Sequence, residues 1–334
     1  MAISETKLAS QHRVLVTGSR GKSSIVRLLH AGMQAAGLQA FARLTGVVPR
    51  ELGPDGERSI SRSAGAHVEE MRWWLKRVLA SAQGIVLENS AISAEFQVLA
   101  GRWLQPDVTV LTNTLPDHQE LWGPTAISAA EVLTAGIPNK GQVILPVGLR
   151  SDNYLLELLG RRHCQLLFSE PAIGVEEGYR AVNMGLALTT LVHLGFEAET
   201  VLATMRQLQP DRYDFQVVNC AGAEVALAFA ANDIISTQAL FKSLNWSPDE
   251  TSLIYNHRAD RPGRLTSFKK WLSRSYWRDV MIIGDKPRRK FASVHYMNIK
   301  NVEGLMKLFQ PGKQVFGCGN IAGLPLSLTA TLDR

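Results

Sequence analysis

The chain has 334 residues, of which 46% are hydrophobic and 20% charged, and its formal net charge is +6. This length predicts two domains that each bury a core, and the composition excludes a small disulfide-stapled module, a fibrous repeat and wholesale disorder. No apolar run is long enough to cross a bilayer, the N-terminal sequence lacks the apolar core of a secretory signal, and the three cysteines predict no disulfide framework. We therefore expect a cytoplasmic protein.

Short β-branched runs alternate with helical patterns along the chain, which predicts an α/β fold with parallel sheets covered by helices. In the first half we expect strands at 13–17, 84–88, 108–112, 142–146 and 165–168, with helices at 22–36, 67–82, 93–104, 125–135 and 177–194. The pattern changes near residue 213, which we take as the domain boundary. In the second half we expect strands at 215–220, 223–230, 251–256, 280–284 and 314–318.

The positive charge is concentrated in residues 256–290, which contain eleven Lys or Arg and three Asp. Such a basic segment is either a solvated surface or a site that attracts phosphate, nucleic acid or another polyanion. Phe268, Trp271, Tyr276 and Trp277 lie within it, and aromatic residues among basic ones suit nucleic acid. Their spacing equally suits the apolar face of an amphipathic helix, so both interpretations stay open.

A glycine-rich turn joins the first predicted strand to the first predicted helix. It consists of Gly18, Ser19, Arg20, Gly21, Lys22, Ser23 and Ser24. Its two glycines let backbone amides close around phosphate oxygens, and the helix N-terminus adds a partial positive charge. Lys22 can reach the terminal phosphates, and Ser23 supplies a hydroxyl for Mg²⁺. Two residues rather than the common four separate Gly18 from Gly21-Lys22, so the turn is a shortened phosphate loop.

Polar residues also end the strands that follow. Glu88 ends one strand, and Asp117-His118 come shortly after another. Open α/β folds bind ligands at the carboxyl ends of their parallel strands. Glu88 can therefore bind the Mg²⁺ of a nucleotide, and His118 can hold a second metal or orient a substrate. Each residue alone is more often structural, but their shared sheet edge with the phosphate loop favours a site.

These segments resemble the Mur ligase superfamily of ATP-dependent amide ligases. The sequence TGSRGKSS at 17–24 resembles the superfamily's TGTxGK[ST] loop, and further matches are Thr45-Gly46, Glu88, Asn113, Asp117-His118, Asn183 and Arg212. Within the superfamily the chain is most similar to the catalytic subunits of poly-γ-glutamate synthases, the PgsB or CapB type. The segments LTNTLPDHQELWGPT, FAANDIIST, IYNHRADRPGR and VFGCGNIAG carry that similarity.

The resemblance implies a fold with an N-terminal arm at 1–12, an ATP-binding Mur-ligase-like central domain with a P-loop at 13–213, and a smaller Rossmann-like α/β substrate domain at 214–334. It implies that ATP and Mg²⁺ activate a γ-carboxylate as an acyl phosphate, which the amine of an incoming glutamate attacks to form a γ-glutamyl amide.

The resemblance also implies residue roles. Lys22, Glu88 and His118 would be catalytic, and the metal ligands would be Ser23, Thr45, Glu88 and His118. ATP would be bound by the loop together with Asn183, Arg212 and Asp233. A substrate carboxylate would be bound by Asn256, Arg258, Arg261 and Arg264, with Asp260 in the same group; the alternative is an ion-paired loop packed against the sheet.

The sequence departs from the Mur pattern in three places. Residues 119–139 contain no lysine, so we expect no carbamylated lysine at a second metal; Lys140 is the nearest. No UDP-sugar-binding domain precedes the phosphate loop, which argues against a peptidoglycan precursor. The hydrophobic N-terminal stretch of many such synthase subunits is missing, so we expect any attachment to the inner face of the cell membrane to come through a small integral membrane subunit.

The partners implied are glutamate or a growing poly-γ-glutamate chain, with no nucleic acid, and a homo-oligomer stays open. Two other functions compete with this interpretation. A related ligase could join an amino acid to another acid acceptor, such as a folate-like or natural-product scaffold. A P-loop ATPase could use the basic segment to bind nucleic acid, which predicts salt-sensitive binding and nucleic-acid-stimulated hydrolysis without amide formation.

Overall fold

A computed structural model of the chain describes residues 11–62, 66–123, 125–175, 178–274, 276–288 and 294–332. The chain divides into two compact units, the first ending at Gln209 and the second beginning at Pro210. The sequence analysis places the boundary slightly later, near residue 213. Most of the predicted N-terminal arm, residues 1–10, lies outside the described residues, and His12 already begins the first strand.

The first unit is built on an eight-stranded sheet. Its strands are β1 His12–Thr17, β2 Ala40–Leu44, β3 Arg50–Gly53, β4 Gly56–Ser59, β5 Gly84–Glu88, β6 Val108–Leu111, β7 Gln142–Pro146 and β8 Gln165–Ser169. Their order is β4-β3-β2-β5-β1-β6-β7-β8, and the six strands from β2 to β8 are mutually parallel. All five strands predicted for this half occur. β1 lies between β5 and β6, so the carboxyl ends of these three strands meet at the centre of one edge.

Helices cover both faces of this sheet. They are α1 Lys22–Ala35, α2 Glu69–Val78, α3 Ala94–Leu104, α4 Gln119–Trp122, α5 Ala126–Thr134, α6 Asn153–Arg161, α7 Tyr179–His193 and α8 Ala198–Gln207. In α1 the fully buried Ile25, Leu29 and Met33 recur every four residues, which places them on one face of the helix. That face packs with α7 and α8 into one core, while α2 and α3 contribute a second core. The phosphate loop is thus fixed by a buried strand on one side and a buried helix on the other.

The sequence analysis missed the edge strands β3 and β4. They form an antiparallel hairpin in which Gly53 pairs with Gly56 around the turn Pro54-Asp55. All four residues of β4 are exposed, so this strand has no alternation of apolar and polar residues that would reveal it. The predicted parallel sheet is therefore extended by an antiparallel edge.

The second unit contains a six-stranded sheet with helices on both sides. Its elements are β9 Val217–Cys220, β10 Ala223–Leu227, α9 Ile234–Ser243, β11 Thr251–His257, α10 Pro262–Leu272, β12 Asp279–Gly284, β13 His295–Tyr296, α11 Val302–Met306, β14 Gln314–Cys318 and α12 Leu324–Leu332. The order is β13-β12-β11-β14-β10-β9, and only the β9–β10 pair is antiparallel. β13 was not predicted. The parallel core agrees with the smaller α/β domain expected from the sequence.

The aromatic residues of the basic segment are mostly core residues. Phe268, Trp271 and Trp277 are at most 7% exposed, and the Trp271 and Trp277 rings meet edge-on with centroids 5.0 Å apart. Only Tyr276 is substantially exposed. Burial explains their spacing, so the structure favours the amphipathic helix over a nucleic-acid surface. Arg289 and Lys290, also in the basic segment, lie outside the described residues.

Among the described residues, none of the helices has both the length and the hydropathy needed to cross a bilayer.

Candidate active site

The phosphate loop runs from the end of β1 to the start of α1 and depends on two glycines. Gly18 has φ +129°, and Gly21, the N-cap of α1, has φ +80°, values that favour glycine. A Cβ on Gly18 would lie 2.1 Å from the Thr112 hydroxyl oxygen, so that position admits no side chain. The first N–H groups of a helix have no intrahelical acceptor, and Gly21 has no side chain to cap them. The loop therefore presents donors to an anion.

Residues after β6 hold this loop in place. Asn113 Oδ1 accepts a hydrogen bond from the Arg20 N–H at 3.2 Å, and the Thr112 hydroxyl donates to the Arg20 carbonyl at 2.6 Å. Arg20 Nη1 donates to Asp117 Oδ2, also at 2.6 Å. The Ser19 hydroxyl donates to the carbonyl of the nearby Leu115. Asn113 and Asp117, which carried the family resemblance, thus position the loop.

Lys22 folds back over the loop. Its Nζ donates to the Gly18 carbonyl at 2.6 Å. Burial of the ammonium group lowers the pKa of Lys22 from its usual value, and the Glu88 carboxylate opposes that change. A bound phosphate would supply negative charge that stabilises the ammonium form. Lys22 is therefore placed to neutralise a phosphate within the loop.

Groups from three segments meet around the Glu88 carboxylate. Glu88 Oε2 accepts hydrogen bonds from the Ser23 hydroxyl and from the Thr45 N–H, each at 3.0 Å. Gly46 packs closely against Ser23, because a Cβ there would lie 2.7 Å from Ser23 Oγ. We call the group formed by Ser23, Thr45, Gly46 and Glu88 the metal corner. The Thr45 hydroxyl makes a short hydrogen bond with that of Ser90. The structure thus brings the predicted metal ligands Ser23 and Glu88 together and places the Thr45 backbone against them, while the Thr45 hydroxyl as a metal ligand stays a prediction.

This donor set fits Mg²⁺ that arrives with a nucleotide. Mg²⁺ prefers oxygen ligands and is commonly held by one or two carboxylates together with substrate phosphates. Within the described ranges, no three His, Cys, Asp or Glu side chains come together as a metal cage. Glu88, the hydroxyl of Ser23 and phosphates in the adjoining loop would supply the ligands without such a cage.

His118 follows Asp117, the residue whose carboxylate is paired with Arg20 of the phosphate loop. It has φ +44°, its N–H donates to Asp117 Oδ1 at 2.9 Å, and its ring lies 5.1 Å from that of Trp122. Its role at a second metal stays a prediction. Lys140 is exposed in the turn before β7.

Asn183 lies on α7 and is 7% exposed. A Cβ on Gly21 would lie 2.7 Å from Asn183 Oδ1, so the amide packs against the phosphate loop itself. Its predicted contact with the base or ribose of ATP stays a prediction.

A cavity of about 610 Å³ adjoins the metal corner. We call it the inner cavity; its wall includes Thr45, Glu88, Ser90, Trp122, Arg43 and Arg62. Its size is ordinary for a small-molecule site. Arg43, which is 5% exposed in β2, was not predicted as a site residue. Arginines are mostly exposed in folded proteins, so the sequence did not indicate that this one is buried beside a cavity.

In the second unit, Asn256 and Arg264 bind the loop that follows β14. Asn256 Nδ2 donates to the carbonyls of Asn320 and Ala322 at 2.6 and 2.8 Å. An amide nitrogen has two N–H groups, so both are used. In this structure Asn256 fixes that loop, and its predicted place in a carboxylate-binding group stays a prediction. Arg264 makes a short hydrogen bond to Asn320 Oδ1.

Arg258 and Arg261 lie between β11 and α10. Arg258 is paired with Asp260 through two hydrogen bonds of 2.9 and 2.6 Å, as the ion-paired alternative anticipated. Arg261 is the N-cap of α10, whose first turn contains no acidic residue. Arg261 and Arg264 thus begin a helix that favours an anion, and their binding of substrate stays a prediction.

Arg212 and Asp233 also belong to the second unit. The Arg212 guanidinium lies 6.0 Å from the Tyr213 ring centroid, and Asp233 caps α9 by accepting from the Ser236 N–H at 2.8 Å. Their expected contacts with ATP stay predictions.

Comparison with known proteins gives consistent matches. Residues 16–170 match the Mur ligase middle domain, and residues 212–334 match the poly-gamma-glutamate synthase CapB C-terminal domain. The capsule biosynthesis protein CapB of Bacillus anthracis is 26% identical over 344 residues, covering 93% of this chain and 74% of that protein. PGA synthase CapB of Bacillus subtilis (strain 168) is 26% identical over 350 residues, covering 93% and 87%.

The fold matches solved structures as well. A bifunctional folylpolyglutamate synthase/dihydrofolate synthase from Yersinia pestis, complexed with AMPPNP and Mn, has a TM-score of 0.72 at 15% identity, covering 98% of this chain and 90% of that one. At this identity the match bears on the fold, and it confirms the predicted α/β class. The two domain matches span most of the sequence and confirm the resemblance inferred from its motifs. The chain therefore carries a Mur ligase middle domain followed by a poly-gamma-glutamate synthase CapB C-terminal domain.

Proposed function

We propose that this chain is the ligase that joins glutamate units through γ-amide bonds in poly-γ-glutamate synthesis. The ATP-dependent ligase class and the use of Mg²⁺ follow from the family. One observation carries the proposal most directly: a phosphate loop, a Ser23–Glu88 corner and the inner cavity adjoin one another in the first unit. An acid in that cavity would lie beside the site for the terminal phosphate.

When bound, ATP would supply the γ-phosphoryl group that converts the γ-carboxylate into an acyl phosphate with release of ADP, Mg²⁺ would offset charge on the phosphates, and an amine would then displace inorganic phosphate to form the amide. The chain's own residues contribute position and charge, as in other phosphoryl transfers. The loop amides orient the phosphates, and Lys22 neutralises charge on them. Ser23 and Glu88 would hold the ion, with the Thr45 N–H fixing the Glu88 carboxylate.

The incoming glutamate belongs to the second unit in this proposal. Arg261 and Arg264, at the start of α10, would bind its carboxylates, since guanidinium groups pair strongly with carboxylates. Asn256 and Asn320 support this role by fixing the neighbouring loop.

Purified protein with ATP, Mg²⁺ and glutamate tests this function. We expect ADP release together with γ-linked oligomers, identified by mass spectrometry. ADP release stimulated by nucleic acid or by a folate-like acid, with no glutamate oligomer, would contradict the proposal.

We further propose that a small integral membrane subunit brings the chain to the inner face of the cell membrane. The motif resemblance to poly-γ-glutamate synthase subunits supports this. Co-expression with that subunit should move the chain into the membrane fraction, and an unchanged distribution would contradict the proposal.

A further inference from the structure

A second cavity of about 650 Å³ shares part of its wall with the inner cavity. We call it the outer cavity; Arg43, Arg62, Glu70, Trp73, Trp74 and Arg77 line it. Arg43, Arg62 and His67 border both cavities. The two spaces therefore adjoin, and together they lead away from the Glu88 corner along the first unit.

The wall between the cavities carries excess positive charge. Glu70 Oε2 accepts from Arg43 Nη2 at 2.8 Å and from Arg62 Nη2 at 2.7 Å. One carboxylate thus balances two guanidinium groups. Further out, Arg77 is paired with Glu51, which also lines the outer cavity. An acidic ligand would meet two guanidinium groups and one carboxylate at the shared wall, the Glu88 carboxylate at the inner end, and the Arg77–Glu51 ion pair at the rim.

Two tryptophans add features suited to an organic chain. Trp74 is 4% exposed, and its Nε1 donates no hydrogen bond to any described residue. The Nε1 atom is shielded from solvent, and the Trp74 side chain packs in the core that α2 and α3 share, so it forms part of the rigid cavity wall. The adjacent Trp73 is 62% exposed, which leaves a broad apolar surface at the same wall.

A γ-linked glutamate chain offers matching chemistry. Each repeat carries one α-carboxylate, one amide carbonyl and two methylene groups. The carboxylates suit the arginines, and the methylenes suit the Trp73 ring.

We propose that the outer cavity binds the part of the growing poly-γ-glutamate chain that precedes the reacting glutamate, whose γ-carboxylate lies in the inner cavity. This proposal rests on the function proposed above, and it assigns Arg62, Trp73 and Arg77 as determinants of acceptor length.

The Arg77–Glu51 pair provides the sharpest test, because its two members carry opposite charges. Arg77→Gln and Glu51→Gln both break the same ion pair, so a merely structural effect would have the same sign in both. An effect of charge on an acidic chain would have opposite signs. Arg161→Gln is the matched control, because Arg161 is similarly exposed and paired with Glu157 on α6, and neither residue lines the inner or the outer cavity.

We would measure KM for a long γ-linked glutamate oligomer and for the γ-linked dimer, and compare their ratio among variants. We expect Arg77→Gln to raise the ratio about threefold or more, Glu51→Gln to lower it, and Arg161→Gln to leave it unchanged. Equal ratios in all variants, or changes of the same sign for Arg77→Gln and Glu51→Gln, would overturn the proposal.

The same assay separates this proposal from the function beneath it. The unaltered enzyme can elongate glutamate oligomers while Arg77→Gln and Glu51→Gln leave the ratio of the two KM values unchanged. In that case only the outer cavity assignment fails. If the unaltered enzyme forms no γ-glutamyl bond with either acceptor, the proposed function fails, and the cavity assignment with it.

Discussion

The ion pair between Arg20 and Asp117 is expected to hold the phosphate loop, and Asp117→Asn tests it. The Arg20 Nη1 to Asp117 Oδ2 distance is 2.6 Å, and the two side chains are only 16% and 13% exposed. Removing one charge from a fully buried pair costs about 3–5 kcal/mol, whereas exposed pairs contribute about 0–1 kcal/mol. Because asparagine keeps one acceptor oxygen, we expect a loss of about 2 kcal/mol in unfolding free energy.

The pH dependence gives a second, independent signature. Burial by itself would raise the pKa of Asp117, but the Arg20 guanidinium and its hydrogen bond lower it well below the usual range. A carboxyl group whose pKa is lower in the folded protein stabilises the fold above its unfolded pKa of about 4, and that contribution is lost as the pH falls towards the folded pKa. The difference between the original protein and Asp117→Asn should be constant from about pH 6 to 8 and shrink below about pH 4.

Urea unfolding at several pH values measures both effects. Glu157→Gln is the control, since its pair with Arg161 is 59% and 67% exposed and should contribute less than about 0.5 kcal/mol. A loss in Asp117→Asn no larger than in this control, or a difference that persists unchanged to pH 3, would refute the reasoning.

Further predictions concern the loop and the substrate sites. Lys22→Ala should lower ATP turnover about a hundredfold or more while the protein stays folded by circular dichroism, because the side chain neutralises phosphate; near-normal turnover would contradict this. Gly18→Ala should destabilise the protein in thermal unfolding more than Gly56→Ala, since both have positive φ but only the first would clash, and equal losses would argue against the observed loop. Arg264→Gln should raise KM for glutamate more than KM for ATP in steady-state kinetics; equal effects would remove it from the carboxylate site.

The features predicted well from the sequence are those whose structure is determined by residues within one short segment. The phosphate loop is such a segment, since a strand, two glycines, Lys-Ser and a helix follow one another within residues 12–35. Glu88 was also placed correctly at the end of a central strand, because parallel strands bring their carboxyl ends to one edge.

The parts that were missed depend on partners distant in sequence. The Thr112 hydroxyl packs against Gly18, and the buried Arg43 donates to Glu70. The separation of these residues along the chain does not predict either contact. The hairpin β3–β4 did have a local signal, the Pro54-Asp55-Gly56 turn, although its exposed second strand hid the pattern around it. In the basic segment, the charge suggested a nucleic-acid ligand for the aromatic residues. Their spacing is explained instead by the packing of Phe268, Trp271 and Trp277 in the core of the second unit.

A crystal structure with a non-hydrolysable ATP analogue and Mn²⁺ tests the central claim most directly. The account predicts the terminal phosphates within the turn from Gly18 to Ser24 and an anomalous manganese peak at the ligating oxygens of Ser23 and Glu88. A nucleotide bound elsewhere, with that turn empty and no metal at Glu88, would contradict it.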